Sequence, residues 1–375
     1  MRKAFICPSK YVQGENEILN LGFFVKQFGK SALLIADSFA KKLLEKELEE
    51  TQKKFDVKFV YCDFGGECSR VEVERLKAIA KDNKCDCIIG LGGGKAIDTA
   101  KCVNAAQSRL IIVPTIAATD APTSHSAVLY TPDGNFDDYA YFTSPDVILI
   151  DTKVIANAPT RFLVSGMGDA LSTYFEARAN FKWHRPVNAG LPCGALNGDC
   201  SKAVGTNAAM MMAELCYETL LKDGYKAKIA CDNNTVTQAL ENIIETNILL
   251  SGIGFESAGL GAAHAIHDGM TLLEEAHHCT HGEKVAFGTI CQLVLENASQ
   301  EEIDTVIDFC NLVGLPVCLE DLGVKEIGDR VHAVAKKACI PEESIHNMPF
   351  PFTEEDVVSA ILVADKLGRE SKYFD

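Results

Sequence analysis

The chain has 375 residues, 47% of them hydrophobic and 23% charged, which is long enough for two packed domains and typical of a globular protein. Its net charge of −16 repels nucleic acid and anionic membrane surfaces, and no run of Lys or Arg offsets that charge locally, so we expect neither partner. The first apolar run ends at Pro8 and is too short for a secretory signal, so we expect a cytoplasmic protein.

Short apolar or β-branched runs alternate with helical patterns over residues 3–150, which is typical of a parallel sheet covered by helices. The predicted strands are 33–36, 57–61, 87–91, 110–113 and 147–150, and the predicted helices between them are 40–54 and 71–81. This half of the chain is therefore predicted to be an α/β domain.

Asp37 follows the first of these strands directly, at the edge of the sheet where ligands bind in open α/β folds. A carboxylate there can accept hydrogen bonds from both hydroxyls of an adenosine ribose, and it would repel a 2′-phosphate. The alternative role is an N-cap for the next helix. Position alone does not decide between the two.

Residues 85–101, CDCIIGLGGGKAIDTAK, predict a strand, a glycine cluster and a helix. Gly92, Gly93 and Gly94 remove every β-carbon from the turn, so backbone N–H groups can approach a pyrophosphate at the positive end of the helix. A tight structural turn is the alternative.

The loop at 114–130, PTIAATDAPTSHSAVLY, is rich in small polar residues and can present Asp120 to a polar substrate.

Beyond residue 151 the pattern becomes mostly helical, so we predict a domain boundary between residues 158 and 159. The predicted helices are 161–179, 210–221, 234–250, one that starts after Ser299 and stops at Gly314, and 354–367 after Thr353. Residues 181–206 are interrupted by prolines and glycines and are predicted to be an inserted loop.

Three side chains in the helical half are candidate metal ligands. His264 lies on an apolar helix after a run of small residues, and His281 opens the next predicted helix, so the two can converge. Asp169 follows Gly166 and Gly168 on an apolar face, where a buried carboxylate needs a partner such as a cation. For His267, His277 and His278 we favour hydrogen-bonded structural roles.

Five motifs together resemble the glycerol dehydrogenases of the iron-containing alcohol dehydrogenase superfamily. They are GLGGGKAIDTAK, PTIAATDAPTS, GMGDALSTYFEAR, GFESAGLGAAHAIHDG and HGEKVAFG, in that order along nearly the whole chain. The resemblance implies an N-terminal dinucleotide-binding α/β domain, 1–158, and an all-α C-terminal domain, 159–375, with NAD and one zinc ion in the cleft between them.

The resemblance also implies roles for matching residues. Asp169, His264 and His281 are implied as metal ligands, Asp120 as the glycerol contact, and Phe255 as an apolar wall beside it. The implied NAD contacts are Asp37 at the ribose, Gly93, Gly94, Lys95 and Ala96 at the pyrophosphate, and Thr115, Ile116, Ala117, Ala118, Ser124, Ser126 and Tyr130 towards the nicotinamide. A homo-oligomer, an octamer in this family, is implied as well.

Thr173 occupies the position, four residues after the ligand aspartate, where iron-dependent relatives carry a histidine. The loss of that ligand leaves an open coordination position and favours zinc and diol oxidation. A lyase resembling dehydroquinate synthase and a dehydrogenase of polyol phosphates share the fold, but both need Arg and Lys clusters that these motifs lack. An NAD-binding regulator without activity is a further alternative, which the presence of all three ligands disfavours.

Overall fold

The computed structural model describes residues 1–105, 108–190 and 203–372. Part of the predicted inserted loop, residues 191–202, lies outside this description. Within the described residues, no helix is both long and apolar enough to cross a bilayer.

The N-terminal half is built on a six-stranded parallel sheet with the strand order β1-β8-β5-β4-β2-β3. Its strands are β1 (Tyr11–Gly14), β2 (Ser31–Ala36), β3 (Lys58–Asp63), β4 (Cys87–Gly92), β5 (Arg109–Pro114) and β8 (Val147–Asp151). Helices cover both faces, so the central strands are fully buried and almost continuously apolar. The α/β prediction and all five predicted strands are confirmed, whereas β1 was not predicted from its short, partly polar sequence.

The helices of this half are α1 (Leu21–Phe28), α2 (Ser38–Leu43), α3 (Glu45–Phe55), α4 (Arg70–Asp82), α5 (Gly94–Asn104) and α6 (Thr152–Ala156). The prediction of a single helix over 40–54 is wrong. The helix is interrupted at Leu44, whose side chain is buried, and this residue separates α2 from α3. An antiparallel hairpin, β6 (Ser126–Tyr130) and β7 (Phe136–Tyr141), leaves the sheet before β8.

In the described residues, the C-terminal half is built of helices. Its α-helices are α7 (Thr160–Trp183), α8 (Asn207–Asp232), α9 (Gln238–Glu245), α10 (Ser251–Ala258), α11 (Ala262–Met270), α12 (His281–Leu295), α13 (Gln300–Val313), α14 (Arg330–Ala338) and α15 (Glu354–Ser371). Helix α8 extends well beyond the predicted 210–221. The predicted helix 234–250 is divided into α9 and a π-helical turn, Thr246–Leu250.

Several helix ends follow the sequence signals. Ser299 caps the start of α13, Gly314 ends it in the left-handed conformation, and Thr353 caps α15, as predicted. The largest apolar core contains Ile148 and Ile150 of β8 together with side chains of the helical half. The predicted boundary after residue 158 falls between α6 and α7 and interrupts no element.

Candidate active site

The close approach of α7 and α12 brings Asp169 beside His281. A β-carbon on Gly168 would lie 2.3 Å from the carbonyl oxygen of Gly282, and one on Gly282 would lie 1.8 Å from that of Ser165, so only glycine fits at either place. His281 is the first residue of α12, after the N-cap Thr280. The two helices therefore meet where the carboxylate and the imidazole face each other.

The three predicted ligands converge at this point. Oδ1 of Asp169 lies 3.4 Å from Nε2 of His264 and 3.2 Å from Nε2 of His281. One ligand atom from each residue lies within 4.8 Å of the other two. Ligands at about 2.05 Å from a tetrahedral zinc ion are about 3.3 Å apart, so this donor set fits such an ion.

Glu176 orients His264. It lies two turns after Asp169 on α7, is fully buried, and its Oε2 is 2.8 Å from Nδ1 of His264. Its Oε1 accepts hydrogen bonds from the backbone N–H groups of Gly261 and His264. Because a carboxylate only accepts, Nδ1 carries a proton towards Glu176, and Nε2 is the nitrogen that faces Asp169 and could bind a metal ion.

His267 plays the corresponding part for His281. Nδ1 of His281 is 3.1 Å from Nε2 of His267, and Nδ1 of His267 is 2.9 Å from Oδ1 of Asp268. Burial, together with the neighbouring His281, lowers the pKa of His267 to about 4, so His267 is neutral and can accept this hydrogen bond. His277 and His278 contact backbone carbonyls, in agreement with structural roles for both.

The charges at the cluster are strongly coupled. Burial alone would raise the pKa of Asp169, but His281 and His264 outweigh it and hold that pKa well below its usual range. Burial likewise opposes protonation of His264, but Glu176 and Asp169 outweigh it and raise the pKa of His264 well above its ordinary value. The buried carboxylate of Asp169 thus has a cationic partner, His264, in the protein alone, and a divalent cation would replace the proton on Nε2 of His264.

Asp120 lies against the same cluster. Its backbone N–H donates to Oδ2 of Asp169 at 3.4 Å, and its own Oδ2 accepts a hydrogen bond from Ser251 at 2.9 Å. The hydroxyls of Ser251 and Thr173 are 3.2 Å apart, so Thr173 supports this arrangement from α7. Burial raises the pKa of Asp120 well above its ordinary value, and the charge of Asp169 adds to the rise.

At the sheet edge, Asp37 and the glycine turn are neighbours. Asp37 caps α2 by accepting a hydrogen bond from the backbone N–H of Ala40 at 2.7 Å, which leaves its other carboxylate oxygen near the turn. A β-carbon on Gly92, where φ is +142°, would lie 3.8 Å from that oxygen. Helix α5 begins at Gly94 with no side-chain cap, and space is open in front of Gly94. An anion can therefore reach the first N–H groups of α5.

Lys95 and Tyr130 lie at the mouth of this turn. Nζ of Lys95 is 2.5 Å from Oε1 of Glu67 and 5.1 Å from the centre of the Tyr130 ring. The second carboxylate oxygen of Glu67 is buried without a hydrogen-bond partner among the described residues. The predicted contacts Lys95 and Tyr130 are thus close to each other, and Ala96 lies against the turn, 3.3 Å from the position of a β-carbon on Gly92.

The loop after β5 is anchored to the helical half. The carbonyl of Ala117 accepts a hydrogen bond from Asn247, and that of Ala118 accepts one from Ser165. Thr115 donates through its backbone N–H to Gly92, and Ile116 lies 3.4 Å from the position of a β-carbon on Gly93. The loop therefore joins the glycine turn to the cluster of candidate metal ligands.

A buried lysine fixes the second part of this loop. Nζ of Lys101 donates to the carbonyls of Ala121 and Ser126 and to the hydroxyl of Ser124, and it pairs with Asp98. The side chain of Ser124 is buried and turned towards Lys101, so in this structure it has a structural partner. Its contact with a cofactor remains a prediction, as does that of Ser126.

A second buried pair ties the loop to α10. Oε1 of Glu256 is 2.8 Å from the backbone nitrogen of His125 and 2.5 Å from its Nδ1. Nε2 of His125 is buried and has no hydrogen-bond partner among the described residues. Phe255, the predicted apolar wall, is the half-buried neighbour of Glu256 on α10.

Sequence reasoning did not identify Glu176, His267, Ser251, Lys101 or the pair of His125 and Glu256 as parts of the site. Only Glu176 had a usable signal, since its spacing of seven residues from Asp169 places both carboxylates on one helix face. The other contacts join elements that are distant in the chain.

Known proteins resemble this chain over its full length. The model of the iron-containing alcohol dehydrogenase family matches residues 8–152. The chain is 48% identical to a glycerol dehydrogenase of Citrobacter freundii, with 99% of each chain covered. In structure it is similar to a probable glycerol dehydrogenase from Sinorhizobium meliloti 1021, at 42% identity with a TM-score of 0.88 over 98% of this chain and 99% of that one. It is similar also to glycerol dehydrogenase from Schizosaccharomyces pombe, at 36% identity with a TM-score of 0.91 over 98% and 91%.

Proposed function

The chain belongs to the glycerol dehydrogenases of the iron-containing alcohol dehydrogenase family, and from this premise we propose that it oxidises glycerol and related vicinal diols with NAD and zinc. The product from glycerol is dihydroxyacetone. The observation that carries the proposal is the convergence of Asp169, His264 and His281 beside a further carboxylate, Asp120. The donor set of one carboxylate and two imidazoles leaves a position open for substrate.

Asp169, His264 and His281 would hold the metal, with Glu176 and His267 fixing the two rings. Bound zinc would supply Lewis acidity, which polarises a hydroxyl and lowers its pKa. Asp169 would not have to lose a proton before it binds the metal, because its pKa is already lowered. Glu176 holds the proton of His264 on Nδ1, away from the cluster.

Asp120 supplies the selectivity for polyols. A cation bound at the cluster would keep the neighbouring Asp120 ionised, so its carboxylate would accept a hydrogen bond from a second hydroxyl of the substrate, beside the one that Ser251 donates. Phe255 would cover the carbon chain. Such a site favours a compact molecule that carries hydroxyls on adjacent carbons.

The cofactor would lie along the sheet edge. Asp37 would accept hydrogen bonds from the ribose hydroxyls, and the N-terminus of α5 from Gly93 to Ala96 would bind the pyrophosphate. The loop from Thr115 to Ala118 would direct the nicotinamide to the cluster. Bound NAD would supply the hydride acceptor.

The alternative functions need cationic pockets. Asp120 and Asp169 would repel a phosphate or a carboxylate of the substrate. None of the hydrogen bonds or ion pairs in the described parts of the chain brings an Arg or a Lys to either side chain. We therefore favour a neutral polyol over a polyol phosphate or a dehydroquinate-synthase substrate.

We also propose that the enzyme acts in the cytoplasm as a homo-oligomer, with the octamer of the resembling family as the expected size.

A metal-exchange assay tests the function. The purified enzyme is chelated, divided and supplied with zinc, iron(II) or no metal, and NAD reduction is followed with glycerol, 1,2-propanediol and glycerol 1-phosphate. We expect activity only with metal, highest with zinc, and on the two uncharged diols. The variant Asp169→Asn should keep the fold and lose most bound zinc. Glycerol oxidation by metal-free Asp169→Asn, or a preference for the phosphate, would contradict the proposal.

A further inference from the structure

Helix α8 carries a row of large apolar side chains on its outer face. Its exposed apolar residues and their exposed fractions are Met211 (61%), Leu215 (49%), Leu221 (39%), Tyr225 (44%) and Ile229 (42%). The opposite face of the helix is already packed in the interior through Ala213, Cys216, Leu220 and Ala227. An exposed apolar row of this length on a helix indicates a contact with another chain.

The spacing of the row is that of a helix–helix seam. Positions 211, 215, 218, 222, 225 and 229 are separated alternately by four and three residues, the repeat with which one helix packs along another. The outer four positions are apolar. The middle two are Glu218 and Lys222, and neither forms an ion pair within the described parts of the chain. The row spans roughly 27 Å at a rise of 1.5 Å per residue.

The row is complementary to itself in the antiparallel direction. When a second copy of the helix is placed on the outer face about a twofold axis midway between Glu218 and Lys222, Met211 faces Ile229 and Leu215 faces Tyr225 of the copy. Glu218 then faces Lys222, so apolar groups meet apolar groups and opposite charges meet at the centre.

The charged residues beside the row are also placed opposite residues of the other sign across the twofold axis. Glu214 of one copy would lie beside Lys226 of the other, nearer the edge of the contact. In the single chain Lys226 pairs with Asp223 of its own helix at 2.5 Å, and its side chain is 60% exposed, so Glu214 of the second copy would share this lysine with Asp223. An acidic first half and a basic second half match only when the two helices run in opposite directions.

We propose that α8 forms an isologous, antiparallel contact with α8 of a second copy, centred between Glu218 and Lys222 on the outer face. The inference rests on the proposed homo-oligomer and names the surface that builds it. A different protein as partner would not require the symmetry of the row, whereas a second copy requires it at every position. A twofold contact of this kind also leaves no apolar end open for further addition.

Charge exchange across the axis tests the surface. The variants Glu218→Lys and Lys222→Glu each place like charges opposite each other twice per contact, and the double variant Glu218→Lys/Lys222→Glu restores opposite charges. Glu50→Lys on α3 is a matched control, since it makes the same change of charge at an exposed helix position. Mass is measured by analytical ultracentrifugation over a range of concentrations, with circular dichroism as a check of the fold.

We expect each single variant to raise the dissociation constant of this contact at least about ten-fold, because like charges are brought together. The double variant should recover most of the loss, and Glu50→Lys should behave as wild type. A monomeric wild type would contradict both the homo-oligomer and the surface. An oligomer that is unchanged in both single variants would contradict the surface alone. Equal losses in the single and double variants would also overturn the pairing.

Discussion

Nδ1 of His264 lies 2.8 Å from Oε2 of Glu176, and the two residues belong to α11 and α7, two of the three helices that supply the candidate ligands. The carboxylate is fully buried and accepts three hydrogen bonds in all, two of them from backbone N–H groups at the start of α11. Glu176 thus fixes the position of α11, the orientation of the His264 ring and a proton on Nδ1 of that ring together.

Replacing Glu176 with glutamine should weaken metal binding more than folding. A glutamine has one acceptor oxygen where the site supplies three donors, so the ring of His264 loses its fixed orientation while the volume is kept. Loss of such a partner typically costs 10- to 100-fold in metal affinity, and we expect about that loss in a zinc titration of the chelated enzyme. The variant Glu301→Gln, at an exposed position of α13, is the control. An unchanged zinc affinity would show that Glu176 serves only the fold.

Asp120 should separate a diol enzyme from a general alcohol dehydrogenase. A hydrogen bond to a charged group is worth roughly 1.5 to 3 kcal/mol, so Asp120→Ala should lower kcat/KM for glycerol by about ten- to a hundred-fold. The loss with 2-propanol, which has no further hydroxyl, should be much smaller. The measurement is kcat/KM for glycerol, 1,2-propanediol and 2-propanol in both enzymes. Equal losses of kcat/KM with all three alcohols would show that Asp120 acts on the loop or on cofactor binding and not on the substrate.

Asp37 should determine the choice between NAD and NADP. Serine can replace its cap on α2, since both side chains accept a hydrogen bond from the helix, but it removes the charge that repels a 2′-phosphate. In Asp37→Ser we expect the ratio of kcat/KM for NAD to that for NADP to fall at least about ten-fold. Thermal unfolding of the variant checks that α2 survives. If the ratio stays at its wild-type value, the ribose contact lies elsewhere.

Glu343 should make stability depend on pH near neutrality. Burial, together with the neighbouring charge of Asp268, raises the pKa of Glu343 to about 7, and Lys337 offsets only part of that rise. Between its unfolded pKa, about 4.3, and 7 the folded state therefore binds one more proton than the unfolded state, and stability falls as the pH rises. Glutamine stays neutral, so Glu343→Gln should gain about 1 to 3 kcal/mol relative to wild type between pH 4 and pH 8.

Urea unfolding of the two proteins at pH 5, 6, 7 and 8 measures this difference. The exposed neighbour Glu342 provides the control, because Glu342→Gln should leave the pH dependence as it is in wild type. A difference between Glu343→Gln and wild type that does not change with pH would show that Glu343 is ionised throughout.

The sequence by itself determined five of the six strands of the sheet, several helix ends and the three side chains that converge as candidate metal ligands. Strand runs such as β4 and β8 are continuously apolar, and caps such as Ser299 and Gly314 act on the residues next to them, so local pattern is enough. The triad was predictable because a buried carboxylate and two histidines on apolar helices have few uses other than a cation.

Only the tertiary structure decided which partners these groups have. The pairing of His125 with Glu256, the bonds of Lys101 to a loop about twenty residues away, and the link from His281 through His267 to Asp268 depend on which helices and loops meet. The tertiary structure also decided that the apolar row on α8 faces outwards. The sequence could not show this, because a buried helix face has the same apolar spacing. Pattern in a chain fixes what each side chain can do, whereas packing fixes which other group it reaches.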